Sequence, residues 1–178
     1  MIFPRLRRTP RPGTISAFYG AIVAQARLPA FYRDYGVPDT VEGRFDLIVL
    51  HLAPVLDRLA EVPALRGLAQ GVFDRFWQDM DHNLREMGVG DLAVPKRMHS
   101  MGEAFYGRAK AYRTALAADD REALVEALAR NIYGGEQGQP AHRLAAYMRE
   151  AVGQLKALDE AALAAGALEF PQPAAIRD

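Results

Sequence analysis

Asp79-Met80-Asp81-His82-Asn83 places two carboxylates, an imidazole and an amide within five residues, the opening of a calcium-binding loop. The pattern then breaks: Leu84 stands where such a loop needs its turning glycine, and Gly90 where it needs a bidentate glutamate. On a helix Asp79 and Asp81 point about 200° apart, so they cannot close on one ion. The four histidines, His51, His82, His99 and His142, show no pair at the His-Glu-x-x-His spacing of a zinc helix. His51 lies in an apolar stretch and reads as a hydrogen-bonded core residue rather than a ligand. The chain has no cysteine, which excludes thiolate nucleophiles, Cys-ligated zinc, iron–sulfur clusters and disulfides together. Ser16 and Ser100 are its only serines, and neither lies in a Gly-x-Ser-x-Gly elbow. Gly134-Gly135-Glu136-Gln137-Gly138 has the glycines of a phosphate loop but an acid and no lysine. These residues assign no metal, no cofactor and no catalytic group, and an enzyme is not expected.

Polar density is greatest around Gly88-Val89-Gly90. Asp81, Arg85 and Glu86 precede the turn; Asp91, Lys96 and Arg97 follow it, then Glu103, Tyr106 and Arg108. Arginine and aromatic side chains beside a rigid glycine turn have the composition of interface hot spots. Asp81, Arg85, Glu86, Gly88, Gly90, Asp91, Lys96, Arg97, Tyr106 and Arg108 are therefore the candidates for binding a protein client or partner. The plain alternative is a solvated helical hairpin, in which Asp81 and Arg85 form an ordinary i,i+4 surface pair.

The elements that must position these residues are helices, because apolar residues recur at helical spacing from Thr14 onward and no period-2 run has strand composition. Thr14 is placed to N-cap a helix running to about Arg27, and Pro29 to open a short one ending before Gly36. Asp39 and Glu42 fit a capping box for the next helix. There Phe45, Ile48, Val49, Leu52, Val55, Leu56 and Leu59 form a stripe, with Leu47 and Leu50 nearly opposite. A helix apolar on most of its circumference is either central or covered by a partner, and Pro54 within it predicts a kink. From about Ala64 to Met87, the residues Phe73, Phe76, Trp77, Met80, Leu84 and Met87 share one arc, and Gly88 supplies the stop. Pro95 starts a helix with Met98, Met101, Phe105, Ala109, Tyr112 and Leu116 on its core face. Asp119-Asp120 begins another that closes at Gly134-Gly135, Pro140 opens one carrying Leu144, Met148, Leu155 and Leu158, and Asp159 caps a last one ending at Gly166. The expectation is an all-α, single-domain helical bundle of about six to eight helices over residues 14–168.

The ends read differently. The first 13 residues carry Arg5, Arg7, Arg8 and Arg11 with no acid, and three prolines argue against a helix there. This basic tail is a candidate for peripheral membrane contact through its arginines, with Phe3 and Leu6 as shallow apolar plugs; otherwise it is a solvated tail. Residues 169–178, with Phe170-Pro171-Gln172-Pro173, read as a loose end. Over all 178 residues 22 basic side chains balance 22 acidic ones, so no global field draws the chain to nucleic acid. Neither a secretory signal nor a run of roughly 20 apolar residues is found.

Tyr35-Gly36-Val37-Pro38-Asp39-Thr40 followed by Gly43-Arg44-Phe45, and then Phe76-Trp77-Gln78-Asp79-Met80-Asp81, Asn83-Leu84-Arg85-Glu86-Met87-Gly88-Val89-Gly90-Asp91, Val94-Pro95-Lys96 and Ala104-Phe105-Tyr106-Gly107-Arg108, resemble the ubiquinol–cytochrome c chaperone family. The resemblance covers about residues 31–150 and is most specific between about 73 and 113. It implies an all-helical, non-enzymatic, cofactor-free assembly factor for ubiquinol–cytochrome c reductase that holds a client, cytochrome b or another respiratory subunit. The short chain is most similar to bacterial members, which implies a place in the bacterial cytoplasm at the inner face of the membrane. On that reading the apolar helix at 39–60 offers a groove for a hydrophobic client segment, lined by Met80, Met87, Met98 and Met101; the same methionines also fit plain core. The alternatives are a helical lipid- or quinone-binding protein or small enzyme, suggested by the wide apolar helix and Trp77, and a generic protein–protein adaptor.

Overall fold

A computed structural model describes residues 12–176. Among them run eight α-helices: α1 (Pro12–Ala26), α2 (Pro29–Arg33), α3 (Val41–Glu61), α4 (Arg66–Glu86), α5 (Val94–Ala117), α6 (Arg121–Ile132), α7 (Gln139–Ala157) and α8 (Glu160–Ala165). Short 3-10 turns at Pro63–Leu65 and Pro173–Ala175 complete the set. The fold is all-α in one domain, as the periodicity predicts. Helix α1 starts two residues before Thr14, with Pro12 in its first turn, where a residue lacking N–H leaves no helical bond unmade.

The circumference of α3 explains the architecture. Leu47, Val49, Leu50, Leu52, Val55 and Leu59 are all buried, and they are covered by α1, α4, α5, α6 and α7. The helix is central, so most of its apolar surface is used up inside the monomer, and the open cleft beside its C-terminal half is lined by Pro54, Asp57, Arg58, Leu116 and Leu155 with none of the four methionines. Its cap is Thr40, whose Oγ1 accepts from the Gly43 N–H at 3.1 Å. The predicted cap at Asp39 is one residue early: the extended backbone falls at Thr40, and Asp39 instead accepts from Arg44 Nε at 2.8 Å. Gly43 is held against the chain just before the cap, for a Cβ there would lie 2.0 Å from the Pro38 carbonyl oxygen.

Among the described residues the buried polar ones are Asp46 and His51, both on α3. Leu47 O can only accept, so His51 Nδ1–H donates to it at 2.7 Å, and Nε2 accepts from the Tyr147 hydroxyl at 2.8 Å. Burial drives the imidazole down to about 4 and keeps it neutral. Asp46 faces Arg108 across the α3–α5 seam, Oδ1 to Nε 2.8 Å. The N–H is misaligned with that oxygen, so the contact is an ion pair rather than a well-formed hydrogen bond. Burial pushes the Asp46 carboxyl up to about 6 against the opposing pull of Arg108.

The predicted loose C-terminal end is, in its described part, tied down. Gln25 Nε2 donates to the Pro171 carbonyl at 2.9 Å and the Tyr35 hydroxyl to the Pro173 carbonyl at 2.7 Å. Phe170 stands edge-on to His51 at 5.1 Å. Apolar and proline content outweighed the lack of helical pattern.

Two predictions follow from these packings. Gly43→Ala should cost roughly 1–3 kcal/mol by forcing backbone apart, whereas Gly20→Ala, in open space on α1, should gain about 0.5–1 kcal/mol. Urea denaturation checks both, and a neutral Gly43→Ala contradicts the close approach. The second concerns pH. His51, lowered from 6.5, favours the fold above its ordinary value and loses that contribution as pH falls towards 4; Asp46, raised from 3.8, favours the fold at low pH and loses it as pH rises through 6. Each shift corresponds to roughly 3 kcal/mol. Between pH 4 and 6, therefore, Asp46→Asn should gain stability with rising pH relative to the native chain, and His51→Gln should lose it. Parallel profiles for all three proteins would rule the assignment out.

Candidate functional site

The turn between α4 and α5 is set by glycine. Gly88 adopts φ +80°, Gly88 N–H donates to Arg85 O at 2.9 Å, and Val89 N–H to Leu84 O at 3.0 Å. These two bonds are the Schellman motif, which fixes where the chain leaves α4. The Gly90 carbonyl then accepts from Ala93 and Val94, starting α5. Gly88 thus has a mechanical role as glycine, whereas Gly90 serves only through its carbonyl, which any residue supplies.

Arg85 spans that turn. Its Nε reaches Asp81 Oδ2 at 2.7 Å, one helical turn back, and its Nη1 reaches Asp91 Oδ1 at 2.5 Å on the far side. The guanidinium bond holds the Asp81 carboxyl below its usual range and raises Arg85 in turn. Glu86 lies 3.1 Å from His82 Nε2. Much of the acidic and basic character of the turn is therefore matched within it. Of the charged residues at this turn Lys96 and Arg97 differ: both are exposed and neither has a carboxylate within ion-pair distance, as is also true of other surface cations such as Arg75 and Lys110.

The turn also carries apolar surface that the periodicity did not reveal. Leu92 is 99% exposed and Met87 51% exposed. Met87, expected in the core arc of α4, is the C-cap residue one position beyond the helix end at Glu86, and its side chain stands half in solvent. Leu92 has no helical register at all; the available clue was a lone leucine between two turn residues and Pro95.

Tyr106 and Arg108 do not belong to this patch. Tyr106 lies roughly 15 Å further along α5 than Lys96; it is 62% exposed and stands at the solvent edge of a ring cluster with half-buried Phe73 and buried Phe105, at 6.3 and 5.4 Å. Arg108 turns inward to Asp46 and stands over the Phe45 ring at 5.8 Å. Asp79, the other half of the calcium-like motif, accepts from Tyr19 on α1 at 2.7 Å, away from Asp81. Arg5, Arg7, Arg8 and Arg11 lie outside the described residues, and no helix among those described is long and apolar enough to cross a membrane. Met80 is buried, while Met98 and Met101 pack partly buried against the core, so no methionine-lined groove forms.

The chain matches known proteins across this whole region. The sequence model of the family described as ubiquinol-cytochrome C chaperone matches residues 33–170. Ubiquinol-cytochrome-c reductase complex assembly factor 1 of Xenopus laevis is 28% identical over 144 residues, covering 79% of this chain and 72% of that protein. The crystal structure of the Cbp3 homolog from Brucella abortus aligns with a TM-score of 0.85 at 41% identity, over 93% of this chain and 92% of that one. With most of its length matched, from the end of α2 to the start of the C-terminal segment, this chain belongs to the ubiquinol-cytochrome C chaperone family.

Proposed function

We propose that this chain is an assembly factor for ubiquinol–cytochrome c reductase, and that its α4–α5 turn grips a newly made subunit, with cytochrome b the first client to test. The family and the named Xenopus relative support the reductase as the target. The observation that carries the site is the turn: a Schellman-fixed loop presenting Leu92 and Met87 to solvent beside the unmatched cations Lys96 and Arg97. A rigid apolar tip loses little conformational entropy on docking, and free cations next to it select an acidic rim around an apolar pocket. Arg85 contributes by stiffening the turn, since it ties Asp81 on α4 to Asp91 beyond the glycines. Holding a client requires no bond to be broken, which fits a sequence without a catalytic constellation. The arginines of the N-terminal segment would keep the protein at the inner face of the cytoplasmic membrane, each cation contributing about 1 kcal/mol near an anionic leaflet.

Deleting the gene should lower the amount of assembled reductase on native gels, and pull-down from native membranes should recover cytochrome b or another reductase subunit. The variant Leu92→Glu with Lys96→Glu and Arg97→Glu should recover about tenfold less client at an unchanged melting temperature. Arg108→Ala should instead melt early, by roughly 3 kcal/mol, because it leaves Asp46 buried without its counter-charge. Undiminished client recovery by the triple variant would remove the turn from the proposal.

A further inference from the structure

The C-terminal segment rests in a cleft made by α1, α2, α3 and α7, and the way it is held has the chemistry of peptide recognition. Pro171 and Pro173 are buried while Gln172 between them is exposed. Proline has no N–H, so burying those two positions leaves no donor unsatisfied. Their carbonyls are each met by a side-chain donor: Gln25 Nε2 on α1 at 2.9 Å for Pro171, and the hydroxyl of Tyr35, just after α2, at 2.7 Å for Pro173. Gln172 has φ −70° and ψ 122°, close to polyproline geometry. Phe170 fills the remaining space edge-on to His51.

The floor of the cleft is held by bonds that do not involve its occupant. His51 is satisfied by Leu47 O and Tyr147, Tyr147 also accepts from Gln25, and Phe31 packs edge-on against Tyr147 at 4.9 Å. Lifting the segment would free one Gln25 N–H and the Tyr35 hydroxyl bond while leaving that network intact. The segment follows the end of α8 and holds only the short 3-10 turn Pro173–Ala175, so lifting it unwinds no α-helix. The donors and the strap stand at or beyond the margins of the family match, for Gln25 precedes its start and Pro171 follows its end.

We propose that this cleft is a recognition site for an extended aromatic–Pro–x–Pro peptide, occupied in cis by Phe170–Pro173 and open to the same motif on a partner protein when the strap lifts. The inference is independent of the reductase-assembly reading and of the α4–α5 turn. Specificity comes from the two proline positions and the aromatic ring, and the x position is unread because it faces solvent. The cis strap competes at the high effective concentration of a short tether, so it sets a threshold that a partner motif must exceed.

The absence of cysteine allows a clean test on the full chain. A spin label on Gln172→Cys should report an immobilised strap, and a free peptide of residues 168–176 should convert it to a mobile one, whereas a scrambled peptide should not. The same peptide should bind the Phe170→Ala chain about tenfold tighter than the native chain, because the cis competitor is weakened, and Tyr35→Phe should reduce that binding. No label release at about 1 mM peptide, the concentration scale of a short tether, overturns the proposal. So does peptide binding that leaves the label immobile. If Phe170→Ala fails to fold, label release from the otherwise native Gln172→Cys chain decides alone.

Discussion

The structure depends on burying one helix on nearly every side. Helix α3 has no polar face wide enough to meet water, so five other helices must arrange themselves around it. That requirement fixes the ends of α3 as well as its middle. Thr40 caps it where the chain bends in, and Gly43 lets the Pro38 carbonyl approach to a distance no side chain would allow. It also explains why the two buried polar groups are where they are. Asp46 and His51 each meet a side chain on another helix, Arg108 on α5 and Tyr147 on α7, and so fix which helices pack against which face.

Such a core leaves function to the periphery. The α4–α5 turn is held by backbone bonds that the left-handed conformation of Gly88 favours, and Arg85 clasps it from the outside. What it exposes is then set by position rather than by chance mobility: Leu92 and Met87 at the tip, Lys96 and Arg97 on the first turn of α5. A surface of this kind suits an assembly chaperone, which must hold a partner reversibly and release it. The second worked surface, the strap in its cleft, uses different means, namely prolines that need no donors and carbonyls met by side chains.

Periodicity made the helices legible because each buries one face, and the apolar spacing of α4, α5 and α7 located them to within a few residues. Asp159 was readable as a cap, since it precedes a helical run and accepts from the N–H three residues on, and the pair Asp119–Asp120 located the start of α6 without choosing between its members. The Asp39–Thr40 pair was not, because two adjacent residues of capping type leave the backbone to choose. Arg108 was misread as surface: a charged residue on the margin of a helix's core face pairs inward only if another helix brings it a carboxylate, and Asp46 lies 62 positions earlier in the chain. The exposure of Leu92 and the docking of Phe170 were hidden for a shared reason. Neither belongs to a periodic segment, so only the tertiary structure decides whether its apolar surface meets water or protein.

The most direct test of the assembly role puts a photo-crosslinking side chain at position 92 in cells making new respiratory complexes. The account predicts a light-dependent adduct between this chain and a reductase subunit, formed while that subunit is newly made and absent once the complex has matured. If position 92 yields no such adduct while the same probe on the exposed face of α7 does, the α4–α5 turn is not the face that holds the client.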